Sequence, residues 1–284
     1  MQNTIIPQKS SKISLFLPLI ACIHLCCSGT IDLTENRSFA ADNTNLSFIT
    51  NSTDTLMNTY VSADRGLVNY EALWKNPLLK ELVDSIAAFD LSIVQSPRDS
   101  LAYWINSYNI LVIYHLQNYG LTPQPQHNFK LFSQEIAVSG IYMTLDKLEK
   151  GENPSYIKKF NEPRTHFALV CAALSCPPLI NRAYTGDSLY AMLDRNTFKF
   201  INNNEFNMIN QSTGSVRVSM LFNWYASDFE GFVRDTLSAT GLSRKAGGTV
   251  KDFIASYLDN ESLKKTVLDA TLEFAPYDWT VNNQ

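Results

Sequence analysis

Apolar positions recur at helical spacing through the first half of the chain. After Asn76-Pro77, residues Leu78, Leu79, Leu82, Val83 and Ile86 fall on one face, and Phe89-Asp90 ends the run. After Ser96-Pro97, residues Leu101, Trp104, Ile105, Tyr108, Leu111, Val112 and Leu116 make a second stripe. Tyr119 extends it, and Gly120 stands where a C-terminal glycine cap is expected. The spacing predicts two helices. The other face of the second carries Ala102, Asn106, Asn109 and Ile113 three and four apart, so two amides sit side by side among apolar neighbours.

The second half changes period. Thr165 to Cys171 is a compact apolar run with His166 near its start, followed by Ala172-Ala173-Leu174-Ser175-Cys176-Pro177-Pro178, and predicts a buried strand leading into a loop. Leu189 to Ile201 has helical spacing, Ser215 to Ser219 alternates like a strand, and Met220 to Phe232 returns to a helical, aromatic-rich pattern. The expected class is α+β: one domain whose helical first half packs on a small mixed or antiparallel sheet.

The N-terminal 29 residues do not share this patterning. Lys9 and Lys12 precede a mostly apolar run from Ile13 to Ala21, far short of the roughly 20 residues of a spanning helix, and the segment reads as a signal peptide. Within it, Leu19-Ile20-Ala21-Cys22 is similar to a bacterial lipobox, whose cysteine carries the lipid. Cleavage after Gly29 and plain secretion is the alternative. Residues 30–55, rich in Asn, Thr, Ser and Asp, read as a polar tether, and residues 56–284, without a further linker or repeat, as the domain. The expectation is an exported protein, periplasmic or outer-surface, touching a membrane only through a lipid on Cys22.

Of the 284 residues, 45% are hydrophobic and 18% charged, enough apolar material for one sizeable core and too little charge for a disordered chain. The net charge of −4, without Lys/Arg runs, argues against nucleic acid as a partner. No GxGxxG, GxxxxGK or HExxH occurs, so neither a nucleotide loop nor a zincin is indicated, and no cofactor is implied.

Arg164-Thr165-His166-Phe167-Ala168-Leu169-Val170-Cys171, continuing through Ser175-Cys176-Pro177-Pro178-Leu179, resembles the central signature of the DUF547 family of uncharacterised proteins. The blocks Leu101 to Asn109, Ser219 to Tyr225 with Asp228-Phe229, Tyr277-Asp278-Trp279 and Val68-Asn69-Tyr70 agree with it in order. The resemblance spans nearly the whole chain after the tether and implies no established activity.

Chemistry must then come from the residues. Beyond the signal region the cysteines are Cys171 and Cys176 and the histidines His115, His127 and His166. His115 lies on the apolar stripe, where a core histidine with one hydrogen bond is expected. A thiol-dependent hydrolase or acyl transferase needs a nucleophilic sulfur, a base within reach and a group that orients the base. Cys176, His166 and Asn106 are the catalytic candidates, with Asn109 or Asp278 as other orienting groups; Asn109, Trp104 and Trp224 are candidates for substrate contact. Placement in a loop favours Cys176 over Cys171, which is embedded in the apolar run. Papain- and transglutaminase-like folds are candidates for such a site, but they place the cysteine at the start of a helix and the histidine on a later strand, whereas His166 precedes Cys176.

Three other readings stay open. Cys171 and Cys176 can close a small disulfide in an oxidising compartment, which removes the nucleophile. Zinc on His166, Cys171 and Cys176 is disfavoured, because strand alternation sends the first two to opposite faces and no fourth ligand is evident. Last, Trp104, Trp224, Tyr225 and Trp279 can line a groove of a non-enzymatic domain that binds a peptide, glycan or small molecule.

Overall fold

The structure is a computed structural model, and it describes residues 45–121, 130–151, 156–230, 232 and 248–284. The signal peptide, the lipobox with Cys22, most of the tether and His127 lie outside the described residues.

The segment expected to be a tether through residue 55 is helical from Leu46. Helix α1 (Leu46–Tyr60) starts at Asn45, whose side chain accepts from the Phe48 amide at 2.6 Å, and buries Ile49, Ser52, Thr53, Leu56 and Met57. Its polar composition hid this face, since Thr53 is buried by turning its hydroxyl back onto the Ile49 carbonyl at 2.8 Å. The short helix α2 (Tyr70–Trp74) follows.

Both strongly patterned helices form where expected. Helix α3 (Pro77–Ala88) is capped by Asn76 and α4 (Pro97–Leu116) by Ser96, each with proline in its first turn. Helix α4 is buried almost all round, including Asn106, Ser107 and Asn109, so it threads the main core instead of lying on it. Gly120, at φ +74°, donates to the Leu116 carbonyl at 3.1 Å.

Strands β1 (Glu135–Val138) and β2 (Ile141–Thr144) form an antiparallel hairpin whose two turn residues, Ser139 and Gly140, both have positive φ. The hairpin tip donates from these two residues to the Ile86 and Ala87 carbonyls, satisfying the end of α3. Helix α5 (Leu145–Lys150) leaves β2 through a Thr144 cap.

Residues 165–171 are not a strand. A 3-10 helix runs from Pro163 to Phe167, and the chain continues irregularly through the double proline. Helix α6 (Leu189–Ile201) matches its sequence period. Strands β3 (Met208–Asn210) and β4 (Ser215–Val218) are antiparallel, and β5 (Leu272–Phe274) joins β4 in parallel, giving a mixed three-stranded sheet in the order β3-β4-β5. The expected helix over 220–232 is two short ones, Leu221–Trp224 and Ala226–Phe229, broken at Tyr225. Helices Val250–Ser256 and Glu261–Asp269 complete the described elements.

These elements make an α+β domain with two apolar clusters. The larger gathers α1, α3, α4 and the hairpin; the smaller is rich in phenylalanine, with Phe167, Phe200, Phe222, Phe229 and Phe253 in ring contact. Residues 163–176 run between the two. The C-terminal segment crosses beside them, pairing Val281 with Ala173 and Asn283 with Val68, while Tyr70 donates to the Asn282 side chain at 2.6 Å. Among the described residues no helix is long and apolar enough to cross a membrane.

Candidate functional site

The turn that carries His166 is fixed by a buried ion pair. Arg164, 2% exposed, donates from Nε and Nη2 to the two Glu162 carboxylate oxygens at 2.8 and 2.7 Å, and Glu162 also accepts from the Arg164 amide. Arg164 Nη1 reaches the Tyr190 carbonyl on α6. Glu162 and these contacts hold the guanidinium charged despite burial.

His166 Nε2 lies 2.9 Å from Asp228 Oδ2, and the imidazole stacks on the Tyr225 ring at 3.9 Å with Phe229 edge-on at 5.5 Å. The bond from His166 holds the Asp228 carboxyl below its ordinary range, aided by the nearby charges of His166 and Lys158. Tyr225 stands at the break between the two short helices and Asp228 within the second of them, and both reach the ring. Nδ1 of His166 has no hydrogen-bond partner among the described residues.

Six residues after His166 the chain turns sharply at Ala172, which has φ +62°. Cys171 and Cys176 are joined as a disulfide. Cys176 is the more buried of the two, at 4% exposure, and Cys171 is half-buried, the reverse of the accessibility expected from the sequence. The Tyr277 hydroxyl lies 3.3 Å from Cys171 Sγ and 3.2 Å from Cys176 Sγ. The C-terminal segment clamps the same loop, with Leu174 donating to Thr280 and Asp278 to the Ser175 hydroxyl.

A cavity of about 560 Å³ opens onto these groups, lined by His166, Cys171, Cys176, Trp224, Tyr225 and Tyr277 among others. On its wall Glu149, from α5, accepts hydrogen bonds from the Tyr108 and Tyr225 hydroxyls, each at 2.8 Å. Burial and the Glu149 charge push the Tyr225 and Tyr277 hydroxyls well above the ordinary tyrosine range, so both stay protonated donors. Trp224, 48% exposed, stands at the rim with Tyr277 and Trp279 at ring distances of 4.8 and 6.0 Å.

His166, Cys176 and Trp224 are therefore brought to one cavity, and the other expected site residues are elsewhere. Asn106 is 3% exposed and exchanges two hydrogen bonds with the Tyr184 backbone, at 2.8 and 2.9 Å. Asn109 donates to the Ala168 carbonyl and accepts from the Val170 amide, pinning the segment between His166 and Cys171. Both amides are structural, as buried polar groups usually are. Trp104 is fully buried against Tyr103 and Tyr156 and is not among the residues that line the cavity. Asp278 is exposed and turns its carboxylate to the Thr280 amide. The ligand set of the zinc reading is not assembled here, because the sulfurs of Cys171 and Cys176 bond each other. The helix-borne cysteine and strand-borne histidine of papain-like folds are absent, since His166 sits on a 3-10 turn and Cys176 in an irregular loop.

Asp228, Glu149 and Tyr277 are site residues that sequence reasoning did not select, and Tyr225 entered only as a ring of the aromatic groove. Three of them stand in the blocks Ser219 to Tyr225, Asp228-Phe229 and Tyr277-Asp278-Trp279; Glu149 has no comparable signal.

Residues 94–201 match the family described as "Protein of unknown function, DUF547". This chain carries a DUF547 domain. The match spans α4 and the whole His166 to Cys176 segment, while the blocks contributing Asp228 and Tyr277 lie downstream of it. No curated protein and no solved structure matches the chain.

Proposed function

We propose that this DUF547 domain is an exported, lipid-anchored, thiol-dependent hydrolase or acyl transferase whose disulfide is its resting form. The observation that carries the reading is the His166–Asp228 pair at 2.9 Å on a cavity whose wall also holds both sulfurs. Asp228 occupies Nε2 and fixes the ring, which leaves Nδ1 as the basic nitrogen. A dithiol reductant first converts the disulfide into two thiols and is itself oxidised to a disulfide. His166 Nδ1 then takes the Cys176 proton, the thiolate adds to an acyl carbonyl, and the imidazolium returns the proton to the leaving group. Water or an acceptor nucleophile cleaves the thioester and restores the thiol.

The test is the alkylation rate of the reduced protein against pH. A Cys176 activated by His166 reacts well below the free-thiol range of about 8.5, and Cys171→Ser keeps that reactivity while Cys176→Ser and His166→Ala abolish it. Ordinary thiol titration in the reduced wild type sinks the mechanism. Anchoring is tested separately: Cys22→Ala releases the protein from the membrane fraction, and a wild type that is already soluble and begins after Gly29 refutes the lipid.

The exposed rim supports a second reading, a non-enzymatic binding domain. Trp224, Tyr277 and Trp279 form a contiguous aromatic surface of the kind that stacks on sugar faces or peptide side chains. Ligand-dependent quenching of tryptophan fluorescence that survives in Cys176→Ser and His166→Ala, with no thiol reactivity, selects this reading.

A further inference from the structure

A second concavity lies beyond the double proline, apart from the cysteine cavity but sharing Pro177 with it. Its volume is about 480 Å³. One wall is the segment Pro177 to Arg182, the other is α6, and the turn at Gly66 closes one side. Gly66 has φ +65°, and a Cβ there would stand 2.4 Å from the Leu179 backbone nitrogen, so the turn is packed hard against that wall.

The charge in this cleft is one-sided. Arg182 comes from the loop, and Arg195 and Lys199 stand one helical turn apart on α6. All three are exposed at the cleft, and none forms an ion pair with any described residue, although four other lysines and two other arginines of the chain do. Asp64 is the one acidic lining residue. Three cations against one carboxylate leave a local excess of two positive charges in a chain whose net charge is −4. Asn181, Asn196 and Asn203 add amide groups, and Phe167, Met192 and Phe200 form an apolar floor.

We infer that this cleft binds a phosphate monoester that carries an apolar group. Two guanidinium forks and an ammonium match the charge and oxygen geometry of a phosphate dianion, the asparagine amides supply neutral donors, and the floor receives the apolar part. The ligand is either a soluble phosphate ester or a phosphomonoester lipid headgroup, which share this chemistry. The site is independent of thiol chemistry at Cys176.

The experiment is calorimetric titration of the full chain with phenyl phosphate at low ionic strength, where screening is weak. Phenyl phosphate binds, benzyl alcohol does not, and combined Arg195→Gln and Lys199→Gln weakens binding at least about tenfold. Arg182→Gln, in the loop, is a second variant with the same expected direction, and Arg217→Gln, on β4 and not among the residues that line the cleft, leaves binding unchanged. Sedimentation with vesicles of phosphatidic acid in phosphatidylcholine separates the sources: uptake that needs Arg195 and Lys199 identifies a lipid ligand, and phenyl phosphate binding without uptake identifies a soluble one. Absence of both, equal binding of benzyl alcohol, or an equal loss in Arg217→Gln overturns the inference. Circular dichroism of each variant confirms that the fold is kept.

Discussion

His166 and Asp228 are 62 positions apart in the chain and 2.9 Å apart in space. Their pairing has a pH signature. Because the Asp228 carboxyl is held below its ordinary value, its contribution to stability is complete above about pH 4, the unfolded carboxylate value, and disappears as pH falls through the lower folded value. In urea denaturation the wild type therefore exceeds Asp228→Asn in stability near neutrality, and the gap narrows on acidification below about pH 4. A gap that is constant across that range shows that the pair contributes nothing.

The disulfide governs what alkylation can label. Without reductant, neither Cys171 nor Cys176 reacts; after reduction both do. Cross-linking residues only five apart in sequence stabilises by about 2 kcal/mol in the chain-entropy account, so Cys171→Ala lowers stability by about that amount and reduction of the wild type does the same. Mass spectrometry of unreduced, alkylated protein checks the first statement and thermal denaturation with and without reductant the second.

Asn109→Ala leaves the Val170 amide and the Ala168 carbonyl buried without partners and costs about 2 to 4 kcal/mol. Any activity of the molecules that remain folded keeps its pH profile, because the hydrogen bonds of Asn109 go to the Ala168 and Val170 backbone and that of the imidazole goes to Asp228. A displaced pH profile with unchanged stability assigns Asn109 to the chemistry instead.

The two tryptophans that the sequence nominates for substrate contact separate on mutation. Trp104→Ala removes a fully buried ring and costs about 3 to 5 kcal/mol, whereas Trp224→Ala, at the half-exposed rim, changes stability by less than about 1 kcal/mol and removes ligand-dependent fluorescence changes. Denaturation midpoints of the two variants decide it.

These contrasts show what was legible in the chain. Helices α3, α4 and α6 were readable because helical periodicity and caps such as Asn76 are local properties. The run from Thr165 to Cys171 reported burial correctly and conformation wrongly. Its backbone is satisfied by the Asn109 side chain and by short-range turns instead of a strand neighbour, a solution that hydrophobicity alone does not encode. Asn106 and Asn109 drew attention for the right physical reason, two amides inside a core, but their partners are backbone groups that no spacing rule identifies. Tyr277 meets the sulfurs across separations of 106 and 101 residues, and such contacts leave no periodic trace.

The stitching of the C-terminal segment to Ala173 and Val68 also orders events in time. A chain emerging from the ribosome or threading a translocation pore presents Cys171 and Cys176 long before Tyr277, Asp278 and Thr280 can close over their loop. The two sulfurs are thus open to solvent oxidants and disulfide-exchange partners throughout that interval, and Tyr277 reaches the cavity wall only once its own segment has emerged.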